Sequence, residues 1–223
     1  MLVTEVPQFD IQDDSGLGTG IASSSLWQLA LTGPDPHDLI IDEIEIDPTI
    51  GNVWTRLRNI FHHERISALN NTELHDITCF VLHKLLLLSP LSSDNPKQSA
   101  ISDCLRYAMA LFMLSVHGTT YYPHENLANN MIVQLKDNLE HLLSTEYMRT
   151  SVGIWILSVG LAATIGTPHR KFFILQACTA AMVLGLQTWE DVLVRLETVL
   201  WTRTQNEDRV RQKWEEILQV LSD

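Results

Sequence analysis

The segment from His117 to His124 (HGTTYYPH) holds the densest group of side chains that can transfer protons. Histidine titrates near neutral pH, and a tyrosine hydroxyl donates or accepts a proton when its surroundings shift its pKa. The candidate general acids or bases are His117, Tyr121, Tyr122 and His124. The same composition also suits an ordinary connection between two helices, with aromatic rings covering the core. The sequence leaves both interpretations open.

A second set of polar or aromatic residues lies inside apolar segments, where a ligand pocket would be lined. The candidates are His83, Asp103, Arg106, Trp155 and Ser158. Asp103 and Arg106 are three residues apart, so on a helix they either pair with each other or line a cavity. Trp155 and Ser158 could face a hydrophobic ligand between helices, although core packing is the simpler explanation.

Histidines and cysteines do not form a metal-binding pattern in this sequence. His75 and His83 are eight residues apart, too far to share an ion directly, and a single histidine on an apolar face is usually hydrogen-bonded within the core. The three cysteines are widely spaced: Cys79, Cys104 and Cys178. A structural zinc site needs about four ligands in tight spacing, which this pattern does not supply. We therefore predict no metal site and no cofactor.

Helices must position these candidates, because apolar residues recur at spacings of three and four from Ile50 to the end of the chain. In the first helix this spacing predicts that Arg56 and Arg58 face away from the core. The stretch from Tyr147 to Ile165 is apolar on all sides, which predicts the central, most buried helix. The other predicted helices cover 72–89, 96–117, 125–143, a segment that starts at Thr167-Pro168 and reaches Leu184, 188–200 and a last segment around Val210 and Trp214.

Several helix ends carry recognisable signals. Thr188 with Asp191 predicts a cap at one N-terminus, and Thr167-Pro168 is predicted to cap the helix before it. Gly118 follows a helix as a left-handed stop, and Gly185 follows the helix that reaches Leu184. The architecture expected from these patterns is all-α, a single domain of about eight packed helices.

The N-terminal region differs in composition from the rest. Residues 1–25 are polar and rich in glycine and serine, which predicts a mobile tail. Residues 26–49 form an acidic-aliphatic arm, in which 38–47 (DLIIDEIEID) alternates acidic and aliphatic residues. This segment is a short strand-like element, an extended arm that packs Ile40, Ile44 and Ile46 on the domain, or an acidic interaction peptide. The helical domain is expected over 50–223.

Charge and targeting signals limit the partners. The formal net charge is -12, so a polyanion such as DNA would be repelled, and no direct nucleic-acid partner is expected. The longest uncharged stretch, 150–169, is interrupted by glycine and proline, which predicts a buried helix and no membrane association. The first residues show no basic region followed by an apolar core. We expect an intracellular protein of the nucleus or cytoplasm.

Three segments are similar to a known family. The segment ISDCLRYAMALFML (101–114) resembles the helix with an A-C-R-x-A-A-L-like pattern in the regulatory domain of fungal zinc-cluster transcription factors. The segment SVGIWILSVGLAATIGTPHRKFF (151–173) resembles the buried helix of that family and the basic-aromatic helix start after it. The segment TWEDVLVRLETVLW (188–201) resembles its W-E-D/E-V motif, and Trp214-Glu215-Glu216 resembles the trailing element. The similarity covers roughly 95–220.

The resemblance implies a helical regulatory or interaction module. DNA-binding members of that family carry a six-cysteine zinc cluster followed by basic residues, whereas the first cysteine here is Cys79 and no basic run precedes it. The expectation is a stand-alone module without DNA binding, whose partner is a small hydrophobic molecule or a protein, with homo-oligomerisation also possible. The alternative is a cofactor-free cyclase or isomerase of a fungal secondary-metabolite pathway, in which an apolar cavity orients a reactive substrate.

Overall fold

The computed structural model describes residues 46–62, 69–88, 96–118, 125–143, 146–202 and 207–222. In these ranges the chain is all-helical. It forms α1 (Pro48–His62), α2 (Asn71–Leu87), α3 (Pro96–His117), α4 (Glu125–Leu142), a 3₁₀ turn (Glu146–Arg149), α5 (Ser151–Ala163), α6 (Arg170–Leu184), α7 (Trp189–Val199) and α8 (Glu207–Ser222). The all-α fold class with about eight helices is therefore confirmed for the described part of the chain. The predicted tail, and the arm up to residue 45, lie outside it.

The centre of the fold is α5, as its uniformly apolar sequence predicts. Every residue from Val152 to Leu161 is buried, and α5 contacts α3, α4, α6, α7, α8 and the 3₁₀ turn. A close contact brings α6 against it. A Cβ added at Gly160 would lie 2.2 Å from two ring carbons of Phe173, so only glycine allows this approach of the two helices.

α3 is the second hub of the fold, in contact with α1, α2, α4 and α5. Residues 99–117 of this helix are long and apolar enough to cross a membrane by length and composition, and α6 with α7 would qualify only as one pair bent by 99°. Within the fold 72% of the α3 stretch is buried. Burial of this extent is what a core helix in a globular domain shows.

The helix boundaries confirm some predicted caps and correct others. Thr188 and Asp191 form a reciprocal capping box at α7, and Gly118 and Gly185 both have positive φ after α3 and α6. The cap predicted at Thr167-Pro168 is wrong, because α6 begins after His169 with no side-chain cap. The start predicted at Tyr147 is also wrong, because a 3₁₀ turn precedes α5, which is capped by the hydroxyl of Thr150.

The prediction that Arg56 and Arg58 face away from the core is wrong. Both side chains are buried, with Arg56 only 3% exposed. Arg56 Nε donates to Asn52 Oδ1 at 2.9 Å within α1. Arg58 Nη2 donates to the carbonyl of Thr198 at 3.0 Å, near the C-terminus of α7, where helix carbonyls have no partner within their own helix. Arg58 therefore ties α1 to the end of α7 through a hydrogen bond that apolar periodicity cannot reveal, whereas the bond from Arg56 to Asn52 stays within α1.

The described end of the arm packs on the domain. Ile46 is half-buried against the core, and the backbone N–H of Asp47 donates to the Ser102 hydroxyl of α3 at 3.1 Å. The Asp47 carboxylate in turn accepts from the backbone N–H of Thr49 at 2.8 Å in the first turn of α1. The part of the arm that holds Ile40 and Ile44 lies outside the described residues.

Candidate functional site

His117, the last residue of α3, lies against His75 of α2. The two atoms that meet are Nε2 of His117 and Nδ1 of His75, 3.0 Å apart, and the ring centroids are separated by 5.1 Å. The other ring nitrogen of His117, Nδ1, is 3.1 Å from the carbonyl oxygen of Gly118. The structure thus brings the sequence candidate His117 into direct contact with a histidine that the sequence did not select.

Cys79 extends this contact by one helical turn. It follows His75 by four residues on α2, and side chains at that spacing lie on the same face of a helix. The Cys79 sulphur is 3.6 Å from Nε2 of His75. Cys79, His75, His117 and the Gly118 carbonyl therefore form a row of hydrogen-bonding groups along the α2–α3 boundary, which we call the imidazole relay.

One arrangement of protons satisfies this row of partners when both rings are neutral. The carbonyl oxygen of Gly118 only accepts hydrogen bonds, so Nδ1 of His117 is the donor to it. Nε2 of His117 then accepts, and Nδ1 of His75 donates to it. The remaining nitrogen, Nε2 of His75, is an acceptor facing the Cys79 thiol. The relay thus places a base beside a potential nucleophile.

The thiol keeps its proton in the resting structure. Partial burial raises the pKa of Cys79, and the negative charge of Asp76 raises it further. A thiolate at this position is disfavoured without a group that removes the proton. His75 is the side chain placed to do so.

Arg106 and Asp103, two of the predicted ligand-binding residues, pair with each other. The distance from Arg106 Nη1 to Asp103 Oδ1 is 3.4 Å. Arg106 Nη2 also donates to the carbonyl of Leu88 at 2.6 Å, at the C-terminal end of α2. Burial raises the pKa of Asp103, and the Arg106 guanidinium opposes that rise. The pair ties the end of α2 to α3, and its ligand-binding role stays a prediction.

The remaining ligand-binding candidates are buried. His83 follows Cys79 by four residues on α2 and is 8% exposed. Trp155 and Ser158 are completely inaccessible in the centre of the fold. The Trp155 indole N–H donates to the carbonyl of Leu200. The Ser158 hydroxyl donates to the Ile154 carbonyl at 2.8 Å and accepts from the Trp214 indole N–H at 2.9 Å. A ligand would have to displace these bonds, so a binding role for Trp155 and Ser158 stays a prediction.

Tyr121, Tyr122 and His124 lie outside the described residues, and their proposed role stays a prediction. Sequence analysis missed His75 and Cys79 as functional candidates. The available signal was the spacing of four residues between them, inside a helix whose start is marked by Asn70 and Glu73. Asn70 and Glu73 form a reciprocal capping box at the N-terminus of α2.

A second candidate site is an exposed apolar face on α6. The face, which we call the α6 surface, consists of Lys171, Leu175, Thr179, Met182 and Val183, all exposed. Leu175 and Met182 are 61% and 60% exposed. The opposite side of the helix is buried through Phe173, Ala177, Ala180 and Ala181. Since large apolar side chains stay exposed on one face while the other face packs into the interior, the surface is suited to contact another molecule.

A shallow depression borders the C-terminal end of the α6 surface. Its volume is about 440 Å³. It is lined by Ser151, Leu184, Gly185, Leu186, Asp191, Val194, Arg195 and Thr198. Val194 is 61% exposed in this depression, so apolar surface continues from α6 onto α7.

No family model, curated protein or solved structure matches this chain. A proposal for its function therefore depends on the residues and contacts described above.

Proposed function

We propose that this chain is a regulatory or interaction module of the type found in fungal zinc-cluster transcription factors, and that it binds another protein through the α6 surface without binding DNA itself. The single observation that carries the proposal is the exposure of Leu175, Met182 and Val183 on one face of a helix whose other face is firmly packed. Aliphatic side chains gathered in this way mark a contact surface more often than an ordinary solvated face.

The partner segment that fits this surface is an amphipathic helix with an acidic residue. Lys171, Leu175, Thr179 and Met182 follow spacings of three and four, so they form a ridge that packs against the groove of a second helix. α6 contains Arg170 and Lys171 and no acidic residue, in a chain whose net charge is -12. A carboxylate of the partner opposite Lys171 would set the orientation of the two helices.

DNA is an unsuitable partner on electrostatic grounds. The net charge of -12 opposes approach to phosphates. The 223 residues contain three cysteines, so a six-cysteine zinc cluster is not part of this sequence. The resemblance over 95–220 therefore supports the regulatory role of such factors and not their DNA-reading role.

The test uses a photo-crosslinking amino acid at position 175 of the full chain, in the cells that express it, and the same amino acid at position 220 as a control. Val220 is also an exposed aliphatic residue, on α8. A protein captured only from position 175 is then purified and its affinity for the chain measured by calorimetry.

The variants Leu175→Glu and Met182→Glu should each weaken that affinity by roughly tenfold or more, as expected for loss of a buried apolar contact. Lys171→Glu should weaken it less, and Val220→Glu should leave it unchanged. Equal affinity of Leu175→Glu and the parent chain would refute the α6 surface as the binding site.

A cofactor-free cyclase or isomerase is the second candidate function, and the imidazole relay is the observation that favours it. A pair of hydrogen-bonded imidazoles can pass a proton between two positions of a substrate. Apolar small molecules that raise the melting temperature of the chain would be incubated with it, and products analysed by mass spectrometry. Turnover that is lost in His117→Gln would support the enzyme, and turnover unchanged in that variant would exclude the relay from it.

A further inference from the structure

We propose that Cys79 is a covalent capture site for soft carbon electrophiles, of the class of α,β-unsaturated carbonyl compounds, with His75 as the general base and His117 as the residue that positions it. This site is separate from the α6 surface. It gives the module a chemical input, a reactive small molecule, in addition to a protein partner.

The geometry that carries the proposal is a nucleophile, a base and an orienting group in one row. The Cys79 sulphur is 3.6 Å from Nε2 of His75, and Nδ1 of His75 is 3.0 Å from Nε2 of His117. His117 is in turn held by the Gly118 carbonyl at 3.1 Å. This is the order of groups that nucleophilic sites use: the third group fixes the ring of the base so that the other ring nitrogen faces the nucleophile.

The two ends of this row differ in their exposure to solvent. Cys79 and His75 are partly exposed, whereas His117 is buried at 9% exposure. The end of the row that carries Cys79 is therefore the more solvent-exposed one, while the positioning end of the relay stays packed. Cys104 on α3, in contrast, is completely buried. Burial raises the pKa of its thiol far above the usual range.

The proposed reaction is a conjugate addition. The Cys79 thiol transfers its proton to Nε2 of His75 while the sulphur forms a bond to the β carbon of the unsaturated carbonyl compound. The electron pair of the carbon–carbon double bond moves toward the carbonyl group and leaves an enolate. The His75 imidazolium, which donates through Nδ1 to His117, then returns the proton to the α carbon. Atoms and charge balance without an oxidant, a reductant or a second substrate.

This reaction does not require Cys79 to be a thiolate before the electrophile arrives. In this it differs from oxidation by peroxide. Burial and Asp76 raise the pKa of Cys79, so direct oxidation, which requires the thiolate, is slow. Transfer of the proton to His75 during attack removes that barrier for an electrophile held beside the sulphur.

Cys178 on α6 provides an internal control. It is also partly exposed, and burial also raises the pKa of its thiol. In the described part of the chain no imidazole is hydrogen-bonded to Cys178. Cys79 differs from Cys178 in its neighbouring imidazole, His75, and in its neighbouring carboxylate, Asp76, which raises the pKa of the Cys79 thiol, so a faster reaction at Cys79 is assigned to His75.

The experiment treats the folded full chain with N-ethylmaleimide or 2-cyclohexen-1-one and follows adduct formation at each cysteine by peptide mass spectrometry. Cys79 should react at least roughly tenfold faster than Cys178, because general-base catalysis accelerates such steps by about two or more orders of magnitude. His75→Asn should lower the Cys79 rate by about tenfold or more and leave the Cys178 rate unchanged. Equal rates at Cys79 and Cys178 would overturn the proposal.

Two further measurements keep the result independent of folding. In the parent chain the ratio of the rate in H₂O to the rate in D₂O should be larger at Cys79 than at Cys178, since proton transfer to His75 occurs during attack at Cys79. His117→Gln should lower the Cys79 rate with near-ultraviolet circular dichroism unchanged. A Cys79 rate that is insensitive to D₂O in the parent chain would exclude the base role even if His75→Asn fails to fold. Failure here leaves the binding measurements on Leu175→Glu unaffected, so the two proposals are judged separately.

Discussion

The core around α5 and the boundary between α2 and α3 both place polar groups within apolar helices, and they treat those groups differently. In the core, Ser158 and the indoles of Trp155 and Trp214 are bonded to protein groups and are inaccessible to solvent. At the boundary, the side chains of the imidazole relay are also hydrogen-bonded one to the next, but the last of them, Cys79, is partly exposed. Hydrogen bonds that solvent cannot reach stabilise the fold, whereas a row of hydrogen-bonded groups with an exposed end can also react with a small molecule.

The largest effect of a core substitution is expected at Gly160. Gly160→Ala places a methyl group 2.2 Å from the Phe173 ring, so α5 and α6 must separate. The free energy of unfolding should fall by about 3 kcal/mol or more, as in other overpacked cores. Urea denaturation measures it. The matched control is Gly51→Ala in α1, where the added carbon would contact only the flexible end of Ile46 at 3.3 Å. This control should change stability by no more than about 1 kcal/mol, and a similar loss in both variants would contradict the prediction.

The core hydrogen bonds should give the next largest effect. Ser158→Ala leaves the buried Trp214 indole N–H without its acceptor, at a cost of about 2 kcal/mol in the free energy of unfolding. A double-mutant cycle with Trp214→Phe measures the bond itself, because the second substitution removes the donor. Costs that simply add in the double variant would show that the Ser158–Trp214 bond contributes nothing.

The boundary should respond with chemistry more than with stability. His117→Gln removes one imidazole of the relay, and the net loss of stability should be about 1 kcal/mol, the value of an ordinary hydrogen bond. Thermal denaturation gives this value, and the Cys79 labelling rate in the same sample should fall. A large stability loss with unchanged labelling would mean that the boundary behaves as the core does.

The smallest effect is expected at Asp191, an exposed residue of the α7 capping box that lies outside both the core around α5 and the α2–α3 boundary. Backbone N–H groups of Gln187 and Thr188 lower the pKa of Asp191. The depressed pKa means that the carboxylate stabilises the fold above its unfolded pKa, and that this contribution is lost as pH falls through the folded value. Asp191→Asn should therefore flatten the decline of stability between neutral pH and about pH 3. Parallel curves of the two proteins over that range would count against the cap.

Much of the fold could be predicted from local patterns. The apolar sequence around Trp155 predicted the central helix, and Thr188 with Asp191 predicted the start of α7, because both signals are contained within a few residues. Thr167-Pro168 misled because the backbone turns there through Thr167, whose hydroxyl donates to the Thr164 carbonyl.

Contacts between distant segments could not be predicted in this way. Arg58 meets the carbonyl of Thr198, 140 residues away, and His75 meets His117, 42 residues away. Helical periodicity assigns a residue to a face of its own helix and does not identify its neighbour on another. The sequence named His117 as a candidate, and its catalytic role stays a prediction, whereas its contacts with His75 and through it with Cys79 required the packing of α2 on α3.

Burial of the tryptophans makes the domain its own optical probe. Trp54, Trp155, Trp189, Trp201 and Trp214 are all at most 9% exposed, and Trp54 meets Trp155 edge to face with centroids 5.1 Å apart. Indole emission from these five side chains therefore reports on the interior, while the α2–α3 boundary holds none of them. A fluorescent probe attached at Cys79 would therefore report on the α2–α3 boundary, while emission from these five indoles reports on the core.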